Sequence, residues 1–170
     1  LWAGGVSGGL FVSYDAADTW GRVSTFIDQG ASPNISSMTQ TIDGTLYVAT
    51  GSDNEGWNGN GVWYSSDFGN TWTKIPGTSN CTEVVCSDVE NKVWMATNSG
   101  LRTWDGINFE TISVTSGVCR ALKISGDAQV IVASFQSNKT FVSTDGGVAF
   151  DDRSGSANND LVPAGANRIE

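Results

Sequence analysis

One stretch decides the fold: Ser65-Ser66-Asp67-Phe68-Gly69-Asn70-Thr71-Trp72, whose pattern of residue types recurs along the chain. The pattern is Ser-x-Asp-x-small-x-x-aromatic, and we call each copy a box. Full copies occupy residues 13–20, 65–72 and 143–150, and residues 103–109 form a copy that is one residue shorter. The box aspartates recur at intervals of 52, 38 and 40 residues. A repeat of this period is typical of solenoids and propellers.

Each box is predicted to form a tight turn between two antiparallel strands. Serine and aspartate side chains can form hydrogen bonds with nearby backbone groups, and glycine adopts a positive φ without steric cost. The aromatic residue that ends each box closes the turn, and we expect Trp20, Trp72, Phe109 and Phe150 to be buried. The residues predicted to build the turns are Ser13, Asp15, Trp20, Ser65, Asp67, Gly69, Trp72, Asp105, Phe109, Ser143, Asp145, Gly147 and Phe150.

These octapeptides resemble the Asp box, or bacterial neuraminidase repeat, of sialidase-like, xyloglucanase-like and sortilin-type β-propellers. The resemblance covers nearly the whole chain, with Ala17 in place of glycine in the first copy. It implies an all-β fold in which the box is a structural turn, away from the active centre. The family includes glycoside hydrolases as well as non-catalytic binding, sorting and assembly modules, so the resemblance alone selects no activity.

Composition excludes several classes of function. The chain of 170 residues contains 21 glycines and 7 tryptophans, which suits many short strands joined by tight turns. A net charge of −9 argues against a nucleic-acid partner. The sequence has no histidine, which excludes Ser-His-Asp and Cys-His nucleophiles and His-containing zinc sites. The sequence contains no apolar run of about 18 residues, so it predicts no helix that spans a membrane.

The three cysteines, Cys81, Cys86 and Cys119, form no Cys-x-x-Cys pair. Their odd number indicates neither a disulfide framework nor a zinc knuckle, although one bridge is compatible with it. We predict that the three cysteines are small, buried, apolar residues on strands.

The repeats align as blades of four antiparallel strands, A to D. Strand B has an apolar-apolar-Ala pattern at residues 1–4, 47–50, 94–97 and 131–134, and strand A precedes it at 35–42, 82–87 and 119–125. Strands C and D flank each box. The predicted blades are 1–30 (partial), 31–77, 78–114 and 115–154, followed by a linker and the start of the next blade at 155–170.

The alignment predicts a fragment of a larger propeller, accompanied by further blades or domains of the same protein. The chain opens in strand B, and residues 166–170 resemble the start of a strand A. A closed ring of four blades is the alternative interpretation.

Function is expected on the face opposite the boxes. The A–B and C–D turns share one end of the blades, the box face, and the B–C and D–A connections share the other, the loop face. The B–C connection of the second blade, around residues 51–60, is predicted to be six residues longer than its equivalents. Trp57 lies there among glycines and amides, a composition suited to stacking on a sugar ring. The alternative is that Trp57 folds back over the propeller.

No cofactor is predicted from the sequence. Asp53 and Glu55 could supply oxygen ligands to calcium, but their spacing is not that of an EF-hand loop.

The inner strands offer a second set of candidate ligand-binding residues. Ser36, Glu83, Arg120 and Arg168 align at similar early positions of the A strands, which places a carboxylate and two guanidinium groups toward the central channel. In the sialidases that the boxes resemble, an arginine cluster at the propeller centre binds the substrate carboxylate. The Phe/Tyr-Arg-Ile-Pro motif of those enzymes is absent, and the alternative is ion pairing between blades.

The sequence therefore favours a non-catalytic module that binds a protein or glycan through the loop face, located outside the cell, on its surface or in a periplasm. The missing arginine motif and the structural character of the boxes argue against catalysis. The alternative is a glycoside hydrolase of sialidase-like or xyloglucanase-like type, which would act with paired carboxylates.

Overall fold

A computed structural model describes residues 1–51, 58–136 and 138–155. These residues form fifteen strands and one short helix, arranged as four antiparallel sheets in chain order. The first sheet contains β1 (Trp2–Gly5), β2 (Gly9–Val12) and β3 (Gly21–Arg22). Its strands correspond to strands B, C and D of the sheets that follow.

The other three sheets have four strands each, paired in sequence order. The second contains β4 (Ile35–Gln40), β5 (Leu46–Thr50), β6 (Gly61–Ser65) and β7 (Thr73–Lys74). The third contains β8 (Cys81–Cys86), β9 (Val93–Thr97), β10 (Gly100–Trp104) and β11 (Phe109–Ile112). The fourth contains β12 (Cys119–Ile124), β13 (Ile131–Phe135), β14 (Lys139–Ser143) and β15 (Asp151–Asp152). The predicted all-β fold of antiparallel, four-stranded blades is confirmed.

The hydrophobic core lies in the seams between adjacent sheets. Three clusters of buried side chains fill the first, second and third seams in turn, and Val48, Met95 and Leu122 are fully buried within them. Every residue of β5 and β9 is buried, which explains why these strands read as continuous apolar runs.

Each full box is a turn closed by its own side chains. In the second sheet, Ser65 Oγ donates to Asp67 Oδ1 at 2.8 Å and accepts the Gly69 amide at 2.8 Å. The Thr71 amide and hydroxyl donate to the two oxygens of Asp67 at 2.9 and 2.7 Å. The serine-to-aspartate bond recurs at 2.8 Å in residues 13–20 and at 2.7 Å in residues 143–150.

The shorter box is closed differently. Asp105 Oδ1 accepts the amides of Ile107 and Asn108 at 2.9 and 2.7 Å. These hydrogen bonds, that from the Asn108 amide above all, lower the pKa of Asp105 to about 2. The hydrogen bond from the Thr19 hydroxyl has the same effect on Asp15, whose pKa is also lowered to about 2.

The aromatic residues of the boxes are not buried alike, and the prediction of a buried Trp20 is wrong. Trp72 is 5% exposed, whereas Trp20 is 43% exposed. Phe109 and Phe150 are half-buried.

The seam explains this difference. Trp72 contacts Trp2 of the preceding sheet, with ring centroids 6.3 Å apart, and Phe150 contacts Trp94 of its preceding sheet at 6.5 Å. Among the described residues, no sheet precedes the first sheet, which carries the first box. The neighbouring blade, and not the turn itself, therefore buries the box aromatic ring.

The small residue of the box is required by the same seam. A Cβ at Gly69 would lie 2.6 Å from the Trp2 ring, and one at Gly147 would collide with the Trp94 ring. Both glycines also have positive φ, as does Ala17 at the equivalent position of the first box. A methyl group is tolerated there because no ring of a preceding sheet covers it in the described part of the chain.

One helix was not predicted: α1 (Ser24–Asp28), in the connection between the first and second sheets. Phe26 is fully buried and packs edge-on against Trp72, with centroids 4.9 Å apart. Five residues are too few for a helical period to be visible in the sequence. No helix in the described ranges has the length and hydropathy needed to cross a bilayer.

Candidate functional site on the loop face

The longest B–C connection lies in the second sheet. Ten residues separate Thr50, where β5 ends, from Gly61, where β6 begins. The equivalent connections of the first and fourth sheets have three residues each, so this one is seven residues longer. The prediction was six because Ala49 was aligned with alanines that lie one position earlier in their strands. The strand pairing shows this offset, because Ser65 pairs with Leu46 and Ser143 pairs with Ile131. Ala49 therefore lies three residues after the partner of its box serine, whereas Ala133 lies two residues after its own.

Asn60 holds the second half of this connection against the linker that precedes the second sheet. Its Oδ1 accepts the Ser32 amide at 3.0 Å and the Trp63 indole N–H at 3.1 Å. Its Nδ2 donates to the Gly30 carbonyl at 2.6 Å. These bonds use both ends of the Asn60 amide side chain.

Two further asparagines fix the base of the connection from either side. Asn34 Nδ2 donates to the Asn58 carbonyl at 3.0 Å, and the Asn34 carbonyl accepts the Gly51 amide at 2.9 Å. From the following linker, Asn80 Oδ1 accepts the Gly59 amide. Both linkers that flank the second sheet therefore hold the ends of the connection on the loop face.

The candidate residues Asp53, Glu55 and Trp57 belong to this connection and lie outside the described residues. Their attachment points, Gly51 and Asn58, are fixed by the hydrogen bonds above. Among the residues that the structure describes, no group of three or more His, Cys, Asp or Glu side chains is placed to hold a metal ion.

A cavity of about 150 Å³ opens beside this base, between the linker at residues 77–79 and the third sheet. Its lining includes Ser79, Ser99, Arg102 of β10 and Phe109. Ser79 immediately precedes Asn80, which binds the long connection. The cavity has room for one sugar ring or one side chain, since whole small-molecule sites span roughly 300–1,000 Å³.

Arg102 gives this cavity its positive charge. Its Nη1 donates to the Leu101 carbonyl at 3.2 Å, and no ion pair joins it to a carboxylate in the described ranges. A guanidinium has five N–H donors, so it can bind a ligand while keeping that bond. Sequence reasoning missed Arg102, because nothing in the pattern of β10 distinguishes it from a solvated strand residue.

The inner strands β4, β8 and β12 share a bulge near their start. Register shifts place it at Ser36, Thr82 and Arg120. Thr82, and not Glu83, is therefore the equivalent of Ser36 and Arg120, because β8 begins at Cys81. The predicted alignment was off by one residue in this blade.

The bulged hydroxyl residues connect neighbouring blades. Ser36 Oγ donates to the Cys81 carbonyl at 2.6 Å, and Thr82 Oγ1 donates to the Cys119 carbonyl at 3.2 Å. In each case the acceptor is the first residue of the next inner strand. This position of the repeat has a structural role in the first two inner strands.

Glu83 also joins two blades. Its Oε2 accepts the Leu122 amide at 2.6 Å, and its Oε1 forms an ion pair with Lys123 Nζ at 2.6 Å. The side chain is 18% exposed. Arg120 lies on β12, at the bulge, and Arg168 lies outside the described residues.

All three cysteines are free thiols. Burial raises the pKa of Cys119 to about 12 and also raises the pKa of Cys81. Because the thiolate is the reactive form, these two buried thiols are unreactive near neutral pH.

No family model matches this sequence. No curated protein matches it either. Solved structures do, and they share one fold. The chain is similar to a GH74 enzyme from Niastella koreensis, with a TM-score of 0.69 and 15% identity over 98% of this chain and 29% of that one. It is also similar to YCF48 from Cyanidioschyzon merolae, with a TM-score of 0.59 and 13% identity over 89% of this chain and 54% of that one.

A third similar structure is the extracellular domain of a one-component system from B. thetaiotaomicron, with a TM-score of 0.68 and 15% identity. It matches over 94% of this chain and 22% of its own length. The sheets are blades of a β-propeller. The chain spans less than a third of the GH74 enzyme and about half of YCF48. At such low identity the likeness concerns the fold, and the neighbours' activities remain theirs.

Proposed function

We propose that this chain is part of an Asp-box propeller whose loop face binds a glycan or protein ligand without catalysis. The observation that carries the proposal is the ten-residue connection between β5 and β6, whose base is held by both flanking linkers beside the Arg102 cavity. The self-closed box turns support the Asp-box assignment.

The anchored base favours recognition because it reduces the entropy lost on binding. A connection held at Gly51, Asn58 and Asn60 requires less ordering when a ligand arrives than a free loop of equal length. We propose that Trp57 is the aromatic contact, supported by Asp53 and Glu55. Arg102, Phe109 and the neighbouring hydroxyls would then complete a polar site with one aromatic floor.

The engagement of Glu83 supports a non-catalytic role. Glycoside hydrolysis requires two carboxyl groups flanking the scissile bond, and both oxygens of Glu83 are already bound within the fold. The box carboxylates lie on the opposite face and close their own turns. A glycoside hydrolase of xyloglucanase type is the second candidate, favoured by the fold likeness to GH74 enzymes.

Location outside the cell, on its surface or in a periplasm is part of the proposal. It is supported by the fold likeness to an extracellular domain. Further blades or domains of the same protein are also part of the proposal, supported by the share of similar propellers that this chain spans, 29% of the GH74 enzyme and 54% of YCF48.

A glycan array tests the proposal, together with assays for sialic acid release and β-glucan cleavage. We expect binding without turnover, weakened about tenfold or more by Trp57→Ala and by Arg102→Gln. Trp20→Ala is the matched control, because Trp20 is an exposed tryptophan on the opposite face. Turnover that is abolished by changing Glu83 or Arg120 would support the hydrolase instead. Binding unchanged by Trp57→Ala and Arg102→Gln would remove the loop face as the site.

A further inference from the structure

Exposed apolar side chains are concentrated on the box face. Ten large hydrophobic side chains are exposed in the described ranges. Val6 lies in a B–C connection on the loop face, and Leu1 lies beside the first box, where its N-terminal ammonium donates to the Ser13 carbonyl at 2.7 Å. The other eight, between 40% and 87% exposed, are Tyr14, Trp20, Ile42, Phe68, Val89, Ile107, Val130 and Val148. Single exposed apolar residues are ordinary on a protein surface, but their concentration at one end marks an interaction surface.

The turns that carry these side chains form one connected framework. The Asp43 amide donates to Asn91 Oδ1 at 3.1 Å, which joins the second and third sheets. The Asp88 amide donates to the Gly126 carbonyl at 2.9 Å, which joins the third and fourth. The box face is therefore held in place across three blades.

Phe68 shows that this surface is not explained by folding alone. The residue after the box aspartate has positive φ in all four boxes: 58° at Ala16, 57° at Phe68, 98° at Gly106 and 71° at Gly146. A bulky side chain is disfavoured in this region, and two boxes use glycine there. Phe68 is nevertheless 76% exposed, so it gains little burial in return. Contact with a partner would account for a residue that the turn itself disfavours.

The charge on the same turns defines the partner. Each box contains an aspartate, and the A–B turns add Asp43, Asp88 and Asp127. Hydrogen bonds within the turns hold the pKa of Asp67, Asp145 and Asp43 below the ordinary value, with those from the Thr71 hydroxyl, the Ala149 amide and the Thr45 amide the largest causes. These groups are ionised at neutral pH. Lys92 brings a positive charge to these turns, 4.8 Å from the centre of the Trp94 ring.

We propose that the box face docks a protein segment in which Lys or Arg side chains alternate with apolar ones. The apolar side chains of the partner would cover Phe68 and its neighbours, and its cations would face the box aspartates. This combination of apolar contact and complementary charge is typical of specific protein interfaces. The surface lies at the opposite end of the blades from the loop face, so this docking is independent of the proposed ligand site.

A random-peptide phage library, selected against the whole chain, tests the proposal. Phe68→Gly removes the ring and suits the backbone, and Ala16→Gly is the matched control at the same position of another box. We expect peptides that bind the wild-type chain and Ala16→Gly but bind Phe68→Gly at least about tenfold more weakly. These peptides should be rich in Lys or Arg and apolar residues, and added salt should weaken their binding. If no selected peptide depends on Phe68, or if those that do are acidic or uncharged, the proposal is wrong.

Thermal unfolding of the same variants separates docking from folding. Because glycine suits a φ of 57°, we expect Phe68→Gly to unfold at a higher temperature than the wild-type chain. A lower unfolding temperature would show that Phe68 supports the fold, and the argument for a docking residue would fail.

Discussion

The two faces of the blades are closed by different kinds of contact. On the box face, Asp67 binds Thr71 only four residues away, and the other full boxes repeat the pattern. On the loop face, Asn60 binds Gly30 across 30 residues and Asn58 binds Asn34 across 24. The boxes are therefore closed by bonds within a few residues, whereas the base of the long connection depends on linkers that are distant in sequence. The recurring turn and the connection of variable length therefore lie at opposite ends of one scaffold.

The largest expected effect concerns the two tryptophans that occupy the same position of their boxes. We expect Trp72→Ala to lower the free energy of unfolding by about 3–5 kcal/mol, because it empties a seam filled by Trp2 and Phe26. Trp20→Ala should cost less than about 1 kcal/mol, since its ring is 43% exposed. Denaturant unfolding of both variants measures the difference. Equal losses of unfolding free energy in the two variants would mean that the aromatic ring stabilises the turn itself and not the packing between sheets.

An intermediate effect is expected at the base of the long connection. Asn60→Ala removes acceptors from the Ser32 amide and the Trp63 indole, and we expect a loss of about 1–3 kcal/mol together with weaker ligand binding. Asn70→Ala on the box face is the control, because Asn70 is exposed and donates only to the Asp67 carbonyl. Chemical denaturation measures the loss of stability, and the glycan array measures the loss of ligand binding. Ligand binding that survives Asn60→Ala would separate the network from the site.

The same contrast explains which features could be predicted from the sequence. Box turns and blade order were predictable, because a turn's hydrogen bonds and the repeat period are both visible within a few residues. The exposure of Trp20 was not, since the turn is the same as that of Trp72 and only the neighbouring sheet differs.

The candidate site was less predictable than the fold. The bulge at Thr82 depends on pairing between β8 and β9, and a repeat alignment without that register selected Glu83 instead. The Arg102 cavity forms only when the linker at residues 77–79 packs against the third sheet. The long connection itself was visible as an insertion, but its hydrogen-bonded base was not.

The smallest effect per residue is expected from acid, because the box carboxylates are exposed. The pKa of Asp15 is lowered from 3.8 to about 2 in the folded chain, so this carboxylate contributes stability that is fully present above about pH 4. That contribution is lost as the pH falls from about 4 toward 2, when the folded form takes up the proton. Urea unfolding at pH 5, 3.5 and 2.5 measures this loss. Asp15→Asn should flatten the pH dependence, and an unchanged profile would contradict the assigned role.

The central claim is that ligand recognition belongs to the loop face. Hydrogen–deuterium exchange of the whole chain, with and without a saturating ligand selected on the glycan array, tests it most directly. We predict slower exchange in residues 30–34, 58–60 and 78–80 when the ligand is bound, and unchanged exchange in the boxes at 65–72 and 143–150. Protection confined to the boxes, with none on the loop face, would contradict the account.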